Sequence, residues 1–347
     1  MNNKMWDYID EQPTIINKII KQEAKITSLL PESFINVSKI IITASGSSYN
    51  AAKLAKALIE KNSSKPIIIE TPFHLRYYSN LLNHNENYLL IVLSQTGKSV
   101  GTLECLNLAK ANHIPVIALT SDDESPIAKQ ANYHQNILCG NESVGPKTKG
   151  FSATVLVLQL LLMKILKLEN QDFLIEYRNS IQDLPQNIQA IKNWCYHHQN
   201  WSKAKTMSIT GFGINYPTSL EGSLKILETM QISIMNYELE EFMHGPHRTI
   251  VNDSYIILID TPGPGSELMD NLIEFIKSKT NNYLVISSRK QTSNNIINVN
   301  DYSLTSSWFN ILVIFQVICT YLPEINGINS SNPIYGDFAT TVGTRIP

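Results

Sequence analysis

The sequence predicts an α/β protein made of two tandem doubly wound parallel-sheet units, each a three-layer αβα arrangement. Three observations predict it. Apolar runs of strand length alternate with amphipathic helical segments, the alternation restarts near residue 205, and 347 residues exceed what one compact core usually encloses.

The first unit opens with KIIITAS (39–45), followed by KPIIIET (65–71), YLLIVLS (88–94) and IPVIALTS (114–121). Nearly continuous Ile, Val and Leu mark strands buried on both faces, as in a parallel sheet covered by helices. Between them, NAAKLAKALIEK (50–61) and SVGTLECLNLAKA (99–111) repeat apolar residues at three- and four-residue steps, the period of a helix. The polar stretch 168–204 reads as a helical connector. It divides the chain into residues 1–190, a first unit with an N-terminal helix, and 191–347, a second unit with a C-terminal tail. The second unit repeats the alternation with KTMSITG (205–211), NYPTSLEGSLKILETMQ (215–231), SYIILID (254–260), SELMDNLIEFIKSK (266–279) and NYLVISS (282–288). In both units the opening strand runs into a Gly-containing turn and then a helix, which suggests duplicated topology. The apolar run 308–321 is expected to be a buried core helix, since a span of the bilayer needs about 20 apolar residues.

Composition narrows the function. A net charge of −2, with 17% charged residues, offers no electrostatic reason for binding nucleic acid or a membrane surface, so a small polar ligand fits better. Cys105, Cys139, Cys195 and Cys319 are scattered with no CxxC pair, which argues against a disulfide framework or a zinc cluster and for reduced thiols in the cytoplasm. The start, MNNKMWDYIDEQP, lacks the apolar stretch of a signal peptide.

In open parallel sheets ligands bind outside the carboxyl ends of the strands, and two hydroxyl-rich turns fall there. In ASGSSYN, Ser45, Ser47 and Ser48 surround Gly46; in LSQTGKS, Ser94, Thr96 and Ser99 surround Gly97. Hydroxyl donors, turn amides and the positive end of a helix together make a phosphate cradle. For either turn alone, plain helix N-capping explains the Ser and Thr residues equally well; two such turns in one sheet favour phosphate. Neither turn is a Walker loop or a GxGxxG fingerprint, which disfavours ATP and NAD, and Gly211-Phe212-Gly213 is too short to count.

On the helix 215–231, Glu221, Lys225 and Glu228 stand four and three residues apart and share one face, while Leu220, Leu224 and Leu227 form a separate apolar stripe expected to bury against the sheet. For this helix by itself an ordinary solvated i,i+4 ion pair is the simpler reading. Sixteen residues on, however, His244 precedes Gly-Pro in EEFMHGP, at a turn rather than mid-helix. A carboxylate and an imidazole near a phosphate cradle are what aldose–ketose chemistry requires: a base to move a proton between C1 and C2, and an acid/base to open the ring.

The motifs SGSSYNAA, LSQTGKSVGTL, YPTSLEGSLKILE and ELEEFMHGP, with EQP (11–13), SPIAKQANY (125–133) and VGPKTKGFS (144–152), occur in the order and at the spacing of the SIS (sugar isomerase) family. The chain resembles that family over nearly its whole length, most of all the two-SIS isomerase half of glucosamine-6-phosphate synthase and its stand-alone relatives. The resemblance implies two flavodoxin-like SIS units. It implies that Ser47, Ser48, Ser94, Gln95, Thr96 and Ser99 hold a sugar phosphate, and that Glu228 is the base for C1/C2 proton transfer. By the same resemblance Glu221 and Lys225 support or contact the sugar, and His244 opens the ring from the neighbouring subunit, so that a homodimer is the smallest complete enzyme. Neither a metal nor a redox cofactor is needed for such proton transfers.

Two departures bear on the substrate. Lys147 stands in PKTKGF where the family has a small hydroxyl residue, and could pair with a ligand anion or face water. The tail NPIYGDFATTVGTRIP (332–347) contains no lysine, with Thr340 or Thr341 where the synthase has one that contacts the open-chain sugar. The start MNNKMW also lacks the N-terminal cysteine of a glutaminase domain. The expected reaction is therefore the reverse one, isomerisation of an amino-sugar phosphate or fructosamine 6-phosphate with release of the amine; the alternatives are a deglycase for fructoselysine- or glucoselysine-6-phosphate, and a non-catalytic sugar-phosphate sensor.

Overall fold

Ten strands, five in each half, form two wholly parallel sheets in a computed structural model that describes residues 2–28, 30–83, 87–300 and 304–346. The first sheet contains β1 (Lys39–Thr43), β2 (Ile67–Glu70), β3 (Tyr88–Leu93), β4 (Val116–Thr120) and β5 (Tyr133–Asn136), in the order β2-β1-β3-β4-β5. The second contains β6 (Thr206–Gly211), β7 (Ser233–Glu238), β8 (Tyr255–Asp260), β9 (Tyr283–Ser287) and β10 (Ile296–Asn298), in the order β10-β9-β8-β6-β7. Read from its other edge, the second order is β7-β6-β8-β9-β10, which is the 2-1-3-4-5 order of the first. Both are doubly wound sheets with a switch point beside their first strand.

The sequence runs named above account for seven of these strands. β5, β7 and β10 are edge strands whose burial is only partial, and their sequences YHQN, SIMNYE and IIN lack the unbroken apolar run that a strand buried on both faces needs. In the first unit, Ile41, Leu90, Val92, Val116 and Ala118 turn to one face of the sheet and pack with Cys105 and Leu106 of the helix Val100–Ala111. The helices Ser47–Ile59 and Lys149–Leu166 pack against each other in the same unit. In the second, Ile256, Leu258 and Val285 pack with Met269 and Ile273 of the helix Ser266–Lys277. The helix Leu304–Ile325, holding the expected core run, packs on the helix Asn215–Met230, close enough that a β-carbon on Gly222 would lie 2.6 Å from the Phe315 ring.

The compact units differ from a single cut after residue 190. One comprises residues 14–143, 147–174 and 333–347; the other comprises 1–13, 144–146 and 175–332. The physical reason lies in where each terminus finds partners. In the second unit Asn3 Nδ2 and Trp6 Nε1 donate to Glu324 at 2.9 and 3.1 Å, and the fully buried Gln12 donates to Gln316 at 2.7 Å. In the first, the tail adds a short antiparallel segment: Val100 N donates to Thr344 O at 3.1 Å and Ile346 N to Lys98 O at 2.9 Å.

Two helices, Lys149–Leu166 and Ser307–Ile325 within the last long helix, are long and apolar enough to cross a membrane, but 94% and 83% of these stretches are buried inside the protein, as core helices are. All four cysteines are buried and free.

Candidate active site

The hydroxyl turns stand where sheet topology requires, at the carboxyl ends of β1 and β3. After β1 the chain turns on Gly46 at φ +58°, which lets Ser47 and Ser48 open the helix Ser47–Ile59. Gly46 itself is the N-cap, so the capping explanation does not apply to these serines. After β3, Ser94 is nearly buried, and Gly97 closes the turn by donating to Ser94 O at 2.8 Å. Gly97 has φ +64°, and a β-carbon there would fall 2.0 Å from Ser125 Oγ. Ser99 occupies the N-cap of the helix Val100–Ala111 without capping it through its side chain; its Oγ accepts from Thr102 Oγ1 at 3.0 Å. Both turns thus stand at the carboxyl edge of the first sheet, each leading into a helix.

A polar cleft of about 670 Å3 opens beside the second turn, lined by Gln95, Thr96, Lys98, Asp122, Glu142 and Arg345, among others. Two of its walls escaped sequence reasoning. Arg345 arrives with the tail, whose pairing to residues 98–100 has no local signature. Glu142 lies six residues before Thr148, the N-cap of the helix Lys149–Leu166, outside any capping spacing, yet it serves the N-terminus of that helix. Its carboxylate accepts from Thr148 N at 2.8 Å, Thr148 Oγ1 at 2.6 Å and Gly150 N at 3.1 Å, and from Gln95 Nε2 at 2.8 Å. Half-buried Lys147 donates to the backbone oxygen of Glu142 at 3.1 Å, so its ammonium stabilises the same loop.

In the second unit the expected charged face is real, but it is turned inward. Glu221 and Lys225 have no exposed side-chain surface and Glu228 keeps 31%, whereas Leu227 of the supposed buried stripe is 50% exposed and Leu220 and Leu224 are half-buried. The solvated ion-pair reading and the burial of the leucine stripe are therefore both corrected. The cause is the neighbour: the small residues Gly222 and Ser219 and most of the charged face lie toward elements that exclude water, and Leu227 is left outside. Lys225 Nζ stands 2.5 Å from Glu228 Oε2 and 3.4 Å from Glu221 Oε1. Burial opposes the Lys225 charge, but the Glu221 and Glu228 carboxylates outweigh it and hold the ammonium above the ordinary lysine range. A buried cation so placed orients the Glu228 carboxylate while leaving part of it accessible.

His244 follows the helix Leu239–Met243 as its C-cap, before Gly245 at φ +123°. Its imidazole is exposed, and among the described residues no hydrogen bond or ion pair joins it to Glu221, Lys225 or Glu228. The tail threonines Thr340 and Thr341 end the short, exposed helix Phe338–Thr341 in the first unit.

At the carboxyl end of β8, the counterpart of β3 in the second sheet, the protein's own side chains partner one another. Asp260, at the end of β8 and fully buried, accepts from Ser287 Oγ at 3.0 Å, Arg289 Nε at 2.9 Å and Gln291 Nε2 at 3.1 Å. Arg289 also bridges to Asp270, and the two aspartates raise its already high proton affinity.

Comparison with known proteins identifies the family. The chain is 28% identical over 301 residues to the glutamine–fructose-6-phosphate aminotransferase (isomerizing) of Thermococcus kodakarensis, covering 83% of this chain and 49% of that protein. It thus spans about half the length of the curated relatives it matches. A candidate phosphosugar isomerase of Clostridium difficile 630 superposes with a TM-score of 0.90 at 26% identity, covering 99% of both chains. The glucosamine-6-phosphate deaminase of Thermotoga maritima shares the fold at a TM-score of 0.72 and 18% identity, over 92% of this chain and 98% of that one. The SIS domain model matches residues 33–164 and 201–313, one stretch for each sheet, and the chain therefore belongs to the SIS domain family.

Proposed function

We propose that the protein is a phosphosugar isomerase that acts on an amino-sugar phosphate or a fructosamine 6-phosphate, moving a proton between C1 and C2 and releasing the amine. The observation that carries this reading is the buried Glu221–Lys225–Glu228 cluster. A structural ion pair gains little from burial, because removing the charges from water costs several kcal/mol per ion, on the order of what their attraction returns. A base held at a fixed angle and left partly accessible is what proton abstraction needs. Ser47, Ser48, Ser94, Thr96 and Ser99, with turn amides that include that of Gln95, hold the phosphate; Glu228 is the C1/C2 base, and Glu221 and Lys225 support it. His244 opens the sugar ring. Its exposure and the lack of a hydrogen bond or ion pair to the carboxylate cluster among the described residues support a role in a neighbouring subunit, which makes a homodimer the working unit.

The aminotransferase relative is named for transfer of an amino group to a sugar phosphate and the deaminase of like fold for its removal from one, which supports amine handling here. Purified protein incubated separately with glucosamine-6-phosphate, galactosamine-6-phosphate, fructoselysine-6-phosphate and glucoselysine-6-phosphate is the test. Released ammonia identifies a deaminase and released lysine a deglycase, whereas binding without turnover sinks the enzymatic reading in favour of a sensor. The subunit assignment has its own test. Glu228→Gln and His244→Asn variants, each inactive alone, recover activity on mixing if the histidine serves the partner subunit, and stay inactive if it serves its own.

A further inference from the structure

Glu142 and Gln95 together make an arrangement that the phosphate reading does not use. The Glu142 carboxylate is 7% exposed and carries four donors, three of them from the start of the helix Lys149–Leu166. The fourth is Gln95 Nε2. An ionised carboxylate only accepts, so the amide of Gln95 must present its nitrogen, not its oxygen, to Glu142. The same nitrogen lies 3.8 Å from Cys139 Sγ, which takes up its other hydrogen. A β-carbon on Gly150 would come within 2.3 Å of Gln95 Nε2 and 2.4 Å of Glu142 Oε2, so the chain leaves the amide no slack on that side. Both hydrogens of the amide are therefore committed inward. Its oxygen receives no donor from the described residues, on a side chain that lines the cleft beside the hydroxyl turn.

We infer that the Gln95 side chain is a specificity-determining acceptor for a donor group of the substrate, a sugar hydroxyl or a protonated amine, rather than a holder of its phosphate, and that Glu142 is the positioning residue that aims it. A phosphate oxygen at Gln95 Oε1 would face another acceptor, which repels it; a hydroxyl or ammonium there completes the only open valence of the amide. Phosphate binding then rests on Ser94, Thr96, Ser99 and the backbone amides of the turn. The inference deepens the phosphosugar reading and rests on it.

Calorimetric titration of the full chain with inorganic phosphate, fructose 6-phosphate and glucosamine 6-phosphate tests it without requiring turnover. In Gln95→Ala, one lost hydrogen bond should weaken both sugar phosphates by about fivefold to tenfold and leave inorganic phosphate within about twofold. Glu142→Gln should give the same selective loss, and the double variant should lose no more than either alone, since the two residues act as one unit. Equal weakening of all three ligands overturns the inference, because the side chain would then be holding phosphate; so does full retention of sugar-phosphate affinity, or additive losses in the double variant. If Glu142→Gln fails to fold, Gln95→Met, which keeps the length of the side chain without its polar atoms, decides the substrate half by the same selectivity. A wild-type protein that binds neither sugar phosphate defeats the phosphosugar reading and this inference with it, a result distinct from binding that is insensitive to Gln95.

Discussion

The two sheets share one topology and present opposite chemistry at their carboxyl ends. Above the first, the turns after β1 and β3 offer serine and threonine hydroxyls, backbone amides and a polar cleft. At the matching place on the second, Arg289 is already taken up by Asp260 and Asp270, and the turn after β8 is Thr-Pro-Gly-Pro-Gly. A doubly wound sheet supplies a crevice, but what fills it decides whether the crevice binds. On the proposed reading the second unit contributes differently, through the helix face that carries Glu221, Lys225 and Glu228.

The sharpest way to break this division is Glu228→Gln. Loss of a general base should lower kcat by about 10²- to 10⁴-fold while sugar-phosphate affinity, measured by calorimetry, stays near wild type. Wild-type turnover in this variant would remove the proton-transfer role from the second unit altogether.

A smaller effect, on stability, is expected from Arg289→Ala. It strands the buried Asp260 carboxylate without its cation at a cost of about 3 kcal/mol, visible as a lower midpoint in urea unfolding. Inorganic phosphate binding should persist under native conditions. If it disappears as fully as in a Ser94→Ala plus Thr96→Val double variant, the Arg289 network is itself an anion site and the contrast between the sheets fails.

Glycines give a matched pair of still smaller effects. Gly97 and Gly213 both take positive φ, but a β-carbon at Gly97 meets Ser125 whereas one at Gly213 meets nothing within 4 Å. Gly213→Ala should therefore cost about 1 kcal/mol, the left-handed penalty alone, and Gly97→Ala about 1–3 kcal/mol more, together with loss of phosphate affinity. Equal melting shifts for the two would show that the hydroxyl turn is not built around Ser125.

The cysteines should respond least. Burial pushes the Cys105 and Cys139 thiols up to about 11, so neither is a thiolate at neutral pH, and a thiol reagent should label them only on unfolding. Because these pKa values are raised in the folded state, the linked stability is fully present below the ordinary thiol value near 9.0 and is lost as pH rises toward 11. Rapid native labelling at pH 7 would contradict the burial.

Local pattern settled a good deal. The strands buried on both faces, the hydroxyl turns, the helical connector and the grouping of Glu221, Lys225 and Glu228 on one face all follow from period and composition, because steric and hydrogen-bonding rules act within a few residues. The order of motifs carried the family. Tertiary structure decided what depends on partners far along the chain. β5, β7 and β10 became strands because a neighbouring strand offered its free edge, not because their own residues demand it. The charged stripe of the helix Asn215–Met230 went inward and Leu227 outward, since an ion cluster that satisfies itself can be buried, and a helical wheel cannot say which side its neighbours will cover. Glu142 met Gln95 across 47 residues, and Arg345 reached the cleft by pairing with a turn more than 240 residues earlier. Such contacts are set by loop closure and packing of the whole unit, and no local rule in the sequence encodes them.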